Sequence, residues 1–271
     1  MADLLILLAL HKSICLIVAY LHMHLSPKRH MENNLSKSII AATASNLTDI
    51  TKDIVEAAFD SLTDDGMMKD IPVVNTIHSL YKIGTSIRER IFINMILKFL
   101  VELKDIPLEK RKEFADRLQE GSYRDKAGEK IIVILDKLDD SDKASMIGKL
   151  FRACIQGKFI FEDFLRLSHI VNNSFLDDLR VLKSGFQVDG RVATYSLSDS
   201  DLSKLYRVGL ASAVIVPDAS SIARRERYRE TNKPIDYKTA YKLNNDAYII
   251  TRELFDFAWI EEVYGIYKGR K

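Results

Sequence analysis

A chain of 271 residues with 47% apolar residues can bury one large core or two modest ones, which excludes a disordered protein. Its formal charge of +2 excludes bulk electrostatics as a route to nucleic acid or to a membrane surface, so any basic footprint has to be local. The only cysteines, Cys15 and Cys154, exclude a disulfide framework and fit a reducing setting, while scarce proline and glycine favour helix over sheet.

The first element is the apolar stretch LLILLALHKSICLIVAYLHMHL, Leu4 to Leu25. It opens Met-Ala-Asp and lacks an A-x-A-like site, which argues against a secretory signal peptide. As a spanning helix, the eleven Leu, Ile and Val residues from Leu4 to Leu21, among them Leu4, Ile6, Leu8, Ile14, Ile17, Val18 and Leu21, would contribute roughly −3 to −7 kcal/mol. A central Lys12 opposes with about +2.5 to +3.5 kcal/mol. If the stretch inserts, Lys28 and Arg29 on its carboxyl side, with Asp3 on its amino side, keep the body in the cytoplasm, tethered to the membrane by one helix. The alternative start is Met31, where MENNLSKSIIAATASN reads as an ordinary polar amino terminus.

From Leu35 to Leu62, Ile40, Ala44, Leu47, Ile50, Ile54 and Ala58 recur in steps of three and four, the spacing of one helical stripe. Asp64-Asp65-Gly66 ends it, and a second helical segment from Ile71 to Leu103 carries Val73, Ile77, Leu80, Ile87, Ile91, Met95 and Leu100. That segment reads as a central core helix, or as a latent membrane-active hairpin broken at Gly84. Pro107 suits the first turn of a further helix in IPLEKRKEFADRL. AGEKIIVILDKLDD holds an apolar run short enough for a strand, but its flanks favour helix. Ser141 or Asp140 caps the next helix and Gly157 stops it. Around Gly157 the positions Arg152, Cys154 and Gln156 offer no oxygen ligands, so an EF-hand is rejected; Phe159, Phe161, Phe164 and Leu167 pack a helix pair instead.

The pattern changes after about Lys183. Ser198 or Asp199 caps a short helix, Gly209 ends it, and Leu210 to Val216 runs as a strand. A second strand passes through Tyr241 and Leu243, Asn244 or Asn245 caps, and an amphipathic helix follows. Helix, strand, long loop, strand, helix is the order of a winged-helix tail. The stretch between the strands, SSIARRERYRETNKPIDYK, carries Arg224, Arg225, Arg227, Arg229, Lys233 and Lys238 against Glu226, Glu230 and Asp236. Such a wing would contact phosphates, with Lys204 and Arg207 of the short helix near a major groove; a solvated loop on a protein-binding module is the alternative.

Catalytic signatures are missing. The P-loop, dinucleotide, H-E-x-x-H, nucleophile-elbow and paired C-x-x-C patterns are all absent from the sequence. His78 and His169 lie among apolar helical neighbours and read as partly buried structural residues. Asp139-Asp140-Asp142, Glu162-Asp163 and Asp177-Asp178 fall where helix N-termini favour negative charge. The expectation is a non-enzyme with no cofactor, no metal and no small-molecule substrate.

The stretches DIPVVNTIHSLYKIGTSIRERIF, GKLFRACIQGKFIFEDFLRL, LYRVGLAS and YKLNNDAYIITREL resemble, in layout, a family of uncharacterised bacterial proteins. The same layout is similar to the abortive-infection alpha family, over most of Met31 to the end. The apolar leader and the Arg-rich loop depart from it. What the resemblance implies is a bacterial or mobile-element protein of phage defence.

The expected fold class is mainly α, a multi-helix bundle over 31–183 followed by a small α+β winged-helix-like module over 184–271, with 1–30 as leader. The expected function is a helical, membrane-associated effector or interaction protein with a protein partner or self-association. The alternative is a soluble winged-helix DNA-binding regulator.

Overall fold

The computed structural model describes residues 39–45, 47, 87–120, 126–189, 192–229 and 232–256. Its chain divides into two compact units, Met1–Asp136 and Lys137–Lys271. The described residues are mainly helical, with small antiparallel sheets toward the carboxyl terminus, as the composition leads one to expect.

In the first unit, α1 (Ile87–Val101), α2 (Leu108–Glu120) and α3 (Ala127–Asp136) follow a short helical stretch over 39–43. Ile96, Leu97, Phe99 and Leu100 of α1 are each exposed by 1% or less, so the most hydrophobic part of the body is core. α3 packs on α1 with its Ile131 and Leu135 fully buried, and the apolar run in Ile131–Leu135 is helical as its flanks favour. At roughly 1.5 to 3 kcal/mol per fully buried Leu, Ile or Phe, this packing decides the matter over strand propensity. Pro107 stands just before α2, its carbonyl accepting the Arg111 N–H.

The second unit opens with α4 (Asp142–Ile155), α5 (Phe161–Asn173) and α6 (Leu176–Gly185). Ser141 makes no side-chain cap; Asp140 Oδ1 accepts the Asp142 N–H at 2.8 Å instead. Gly157 has φ +76°, which a residue with a Cβ rarely adopts, and it turns the chain from α4 into α5. Phe151 and Phe164 meet at 5.1 Å between ring centroids, and Phe161 and Phe164 at 5.5 Å. Glu162, Asp163, Asp177 and Asp178 occupy helical first turns, where the positive end of the helix favours them.

β1 (Phe186–Asp189) and β2 (Val192–Tyr195) form a hairpin that the sequence reading lacks. The Gly190-Arg191 pair between FQVD and VATY was its signal, a glycine at the first of two residues joining alternating segments. Then come α7 (Asp199–Arg207), β3 (Ala211–Pro217), α8 (Ala219–Tyr228), β4 (Tyr237–Leu243) and α9 (Asn245–Phe255). Ser198 caps α7, Gly209 ends it at φ +85°, and Asn244 caps α9, each at an expected position. The region between the strands departs from expectation: its first half is the helix α8, capped by Asp218, rather than a long loop. α9 packs on α4 and α6, and α7 packs on α6, β3 and β4. These contacts gather α4 to α6 with the carboxyl-terminal elements in one compact unit.

Candidate functional site

β3 and β4 pair antiparallel from Ala211↔Leu243 to Pro217↔Tyr237. The base of this ribbon is buried, with Ala211 5% and Leu243 3% exposed, where α7 packs on both strands. Seven residues at about 3.3 Å each carry the other end roughly 20 Å away, where Ile215 and Tyr237 stand 78% and 64% exposed. The two-residue period sorts the side chains. Ala213, Ile215, Pro217, Tyr237, Thr239 and Tyr241 share one face, and Ser212, Val214, Val216, Lys238, Ala240 and Lys242 the other.

α8 begins at the far end, and a small polar joint holds it there. Asp218 N–H donates to the Asp236 carbonyl at 2.7 Å. The buried Ser221 hydroxyl donates to the Asp218 carbonyl at 2.9 Å and accepts the Asp236 N–H at 3.1 Å. The Arg224 guanidinium meets Asp236 Oδ2 at 3.2 Å. A hydrogen bond from the Ser220 hydroxyl, with the Ser220 amide and the charge of Lys238, holds the Asp218 carboxyl below the usual aspartate range.

The sequence-predicted cations are thereby placed. Arg224, Arg225 and Arg227 lie on α8, and Arg229 is its carboxyl cap at φ 51°. Arg224, Arg227 and Tyr228, at i, i+3 and i+4, share an exposed stripe, and Arg225 is half-buried. Arg225 and Arg227 also stand in the last turn, where cations favour the helix by about 0.3 to 1 kcal/mol whatever else they do. Lys204 and Arg207 are exposed on α7, at the opposite end of the ribbon; Lys204 meets Asp201 at 3.5 Å. Among the described residues, Arg207, Arg227 and Arg229 form no ion pair. Between Asp218 and Leu243 the chain carries seven basic and four acidic residues. The basic footprint is therefore local, as the near-neutral total demands.

Sequence reasoning missed the aromatic part. Tyr206 of α7 lies against Tyr241, with ring centroids 4.9 Å apart, and remains 45% exposed. Period-two spacing of Tyr237, Thr239 and Tyr241 was the available signal.

The other candidates fall elsewhere. His169 is exposed, not partly buried, and its Nε2 lies 2.9 Å from Asn173 Nδ2. It stands on the outward side of α5, its neighbours Ser168 and Ile170 facing in. Cys154 is buried in α4. His78, Leu4, Ile6, Leu8, Ile14, Ile17, Val18 and Leu21 lie outside the described residues. Among the described residues no helix is long and apolar enough to cross a membrane, and no cluster of His, Cys, Asp and Glu could hold a metal ion. No family model matches the chain, and neither a curated protein nor a solved structure does. The likeness to the abortive-infection alpha family thus has the quoted stretches alone behind it.

Proposed function

We propose that this protein is a non-enzymatic binding protein whose carboxyl-terminal module engages nucleic acid through α8 and the ribbon that carries it. The observation behind this reading is the exposed stripe of Arg224, Arg227 and Tyr228, continued by Arg229, on a helix held by the Asp218, Ser221 and Asp236 joint. Guanidinium groups bind phosphate oxygens in a planar two-donor geometry, and a helix presented away from a core can approach a strand without steric conflict. This favours the regulator alternative over the membrane effector. The effector reading drew on the apolar leader, which lies outside the described residues, and on the segment Ile71–Leu103, whose described part is core through Phe92 to Val101.

Fluorescence anisotropy with labelled oligonucleotides at low salt tests the reading. The full chain should bind, and replacing Arg224, Arg227 and Arg229 together with alanine should weaken binding at least about tenfold with unchanged circular dichroism. Equal affinity of the triple variant, or no binding by the parent, would overturn it.

A further inference from the structure

The ribbon carries more than a route to the arginines. Its Tyr face runs from Tyr206 and Tyr241 near the base, over Thr239 and Ile215, to Tyr237 at the far end. Tyr237 and Tyr241 are four residues apart on one strand, which separates them by about 13 Å. Cations stand at both ends of this row. Lys204 and Arg207 flank Tyr206 on α7, and α8 with its arginines begins beside Tyr237.

Duplex DNA presents phosphates outside and stacked bases inside, so exposed rings have nothing to stack on there. A single strand offers both an anionic backbone and unstacked base faces. Aromatic rings with one open face, spaced along a ribbon and bracketed by lysine and arginine, match that pair of properties in kind and in order. Tyr241 has one face taken by Tyr206, which fixes the pair as a platform at low entropic cost. Resting on the nucleic-acid reading above, we infer that the preferred ligand is single-stranded nucleic acid, its bases stacked on Tyr206 and Tyr237 and its phosphates held by Lys204, Arg207 and the α8 arginines.

The experiment compares a labelled oligothymidine of about twelve nucleotides with a duplex of equal length, using the full chain, a Tyr206→Leu, Tyr237→Leu variant and a Tyr206→Phe, Tyr237→Phe variant. Leucine keeps an apolar side chain and removes the ring, whereas phenylalanine keeps the ring. The single strand should bind more tightly than the duplex. The leucine variant should lose roughly five- to hundredfold in single-strand affinity, and the phenylalanine variant should keep most of it. Duplex binding as tight as single-strand binding, or leucine variants that bind like the parent, would overturn the inference and leave the nucleic-acid reading standing. Binding to neither oligonucleotide, including the case of binding only to anionic phospholipid vesicles, would overturn both.

Discussion

Arg111 shows how one residue of a charged run can be structural. It sits in KRKEF, where a solvated helix face is the natural reading, yet only 4% of it is exposed. Its Nε donates to the Ile106 carbonyl at 3.0 Å, and one terminal nitrogen donates to the Thr43 and Ser45 carbonyls at 2.8 and 2.7 Å. The fork thus ties the end of the 39–43 helical stretch to the start of α2. Burial lowers its pKa, with Glu109 opposing, but an arginine retains its charge. Arg111→Ala should lower stability by about 3 kcal/mol in urea denaturation, and Arg111→Lys should recover only part, because an ammonium lacks the fork. Asp201 offers a pH test. The Ser198 hydroxyl, which donates to it at 2.7 Å, holds its carboxyl below the usual range, with Lys204 assisting. A carboxyl depressed in the folded state contributes stability above its unfolded pKa of about 4, and that contribution is lost as pH falls through the folded value. NMR titration should find Asp201 titrating below ordinary aspartates, and Ser198→Ala should raise its midpoint. Arg229 separates stability from binding: its left-handed backbone suits glycine, so Arg229→Gly should stabilise the fold by about 1 kcal/mol while weakening nucleic-acid binding.

At the scale of elements, capping chemistry was the legible part. Ser198, Asn244, Gly157 and Gly209 mark boundaries because their side chains or backbone freedom act locally, within a turn of the chain. α8 was not legible for the converse reason. Its residues ASSIARRERY give it almost no apolar stripe, and what holds it is the joint of Ser221 to Asp218 and to Asp236, fifteen residues away in sequence. The candidate cations were named from sequence, and the grouping of Lys204 and Arg207 at one end of the ribbon and the α8 arginines at the other depended on the β3–β4 register, which sequence alone does not supply. Ser221→Ala removes the donor to one carbonyl and the acceptor of one amide. It should cost about 1 to 2 kcal/mol and raise amide hydrogen exchange in α8 before the rest of the unit.

For the whole molecule, the expected helical bundle and α+β tail are present, and helices α4 and α6 pack against the tail. α9, with Ala247, Ile250 and Leu254 buried, packs on α4 and α6, whose Leu150, Phe151, Leu179 and Leu182 are fully buried. Linear reading assigns helices to the neighbours that precede them, whereas burial assigns them to the partners that cover them. The fragment Lys137–Lys271 should therefore fold cooperatively when expressed alone, with helical circular dichroism and a single thermal transition. The proposed function requires that this unit bind nucleic acid through arginine and lysine contacts to phosphate. Its most direct test is the salt dependence of binding by the full chain. Log affinity should fall linearly with log salt, with a slope that corresponds to about three or more phosphate contacts and that drops by about one contact for each arginine removed from α8. A salt-independent affinity, or a slope unchanged when Arg224, Arg227 and Arg229 are replaced by alanine, would contradict it.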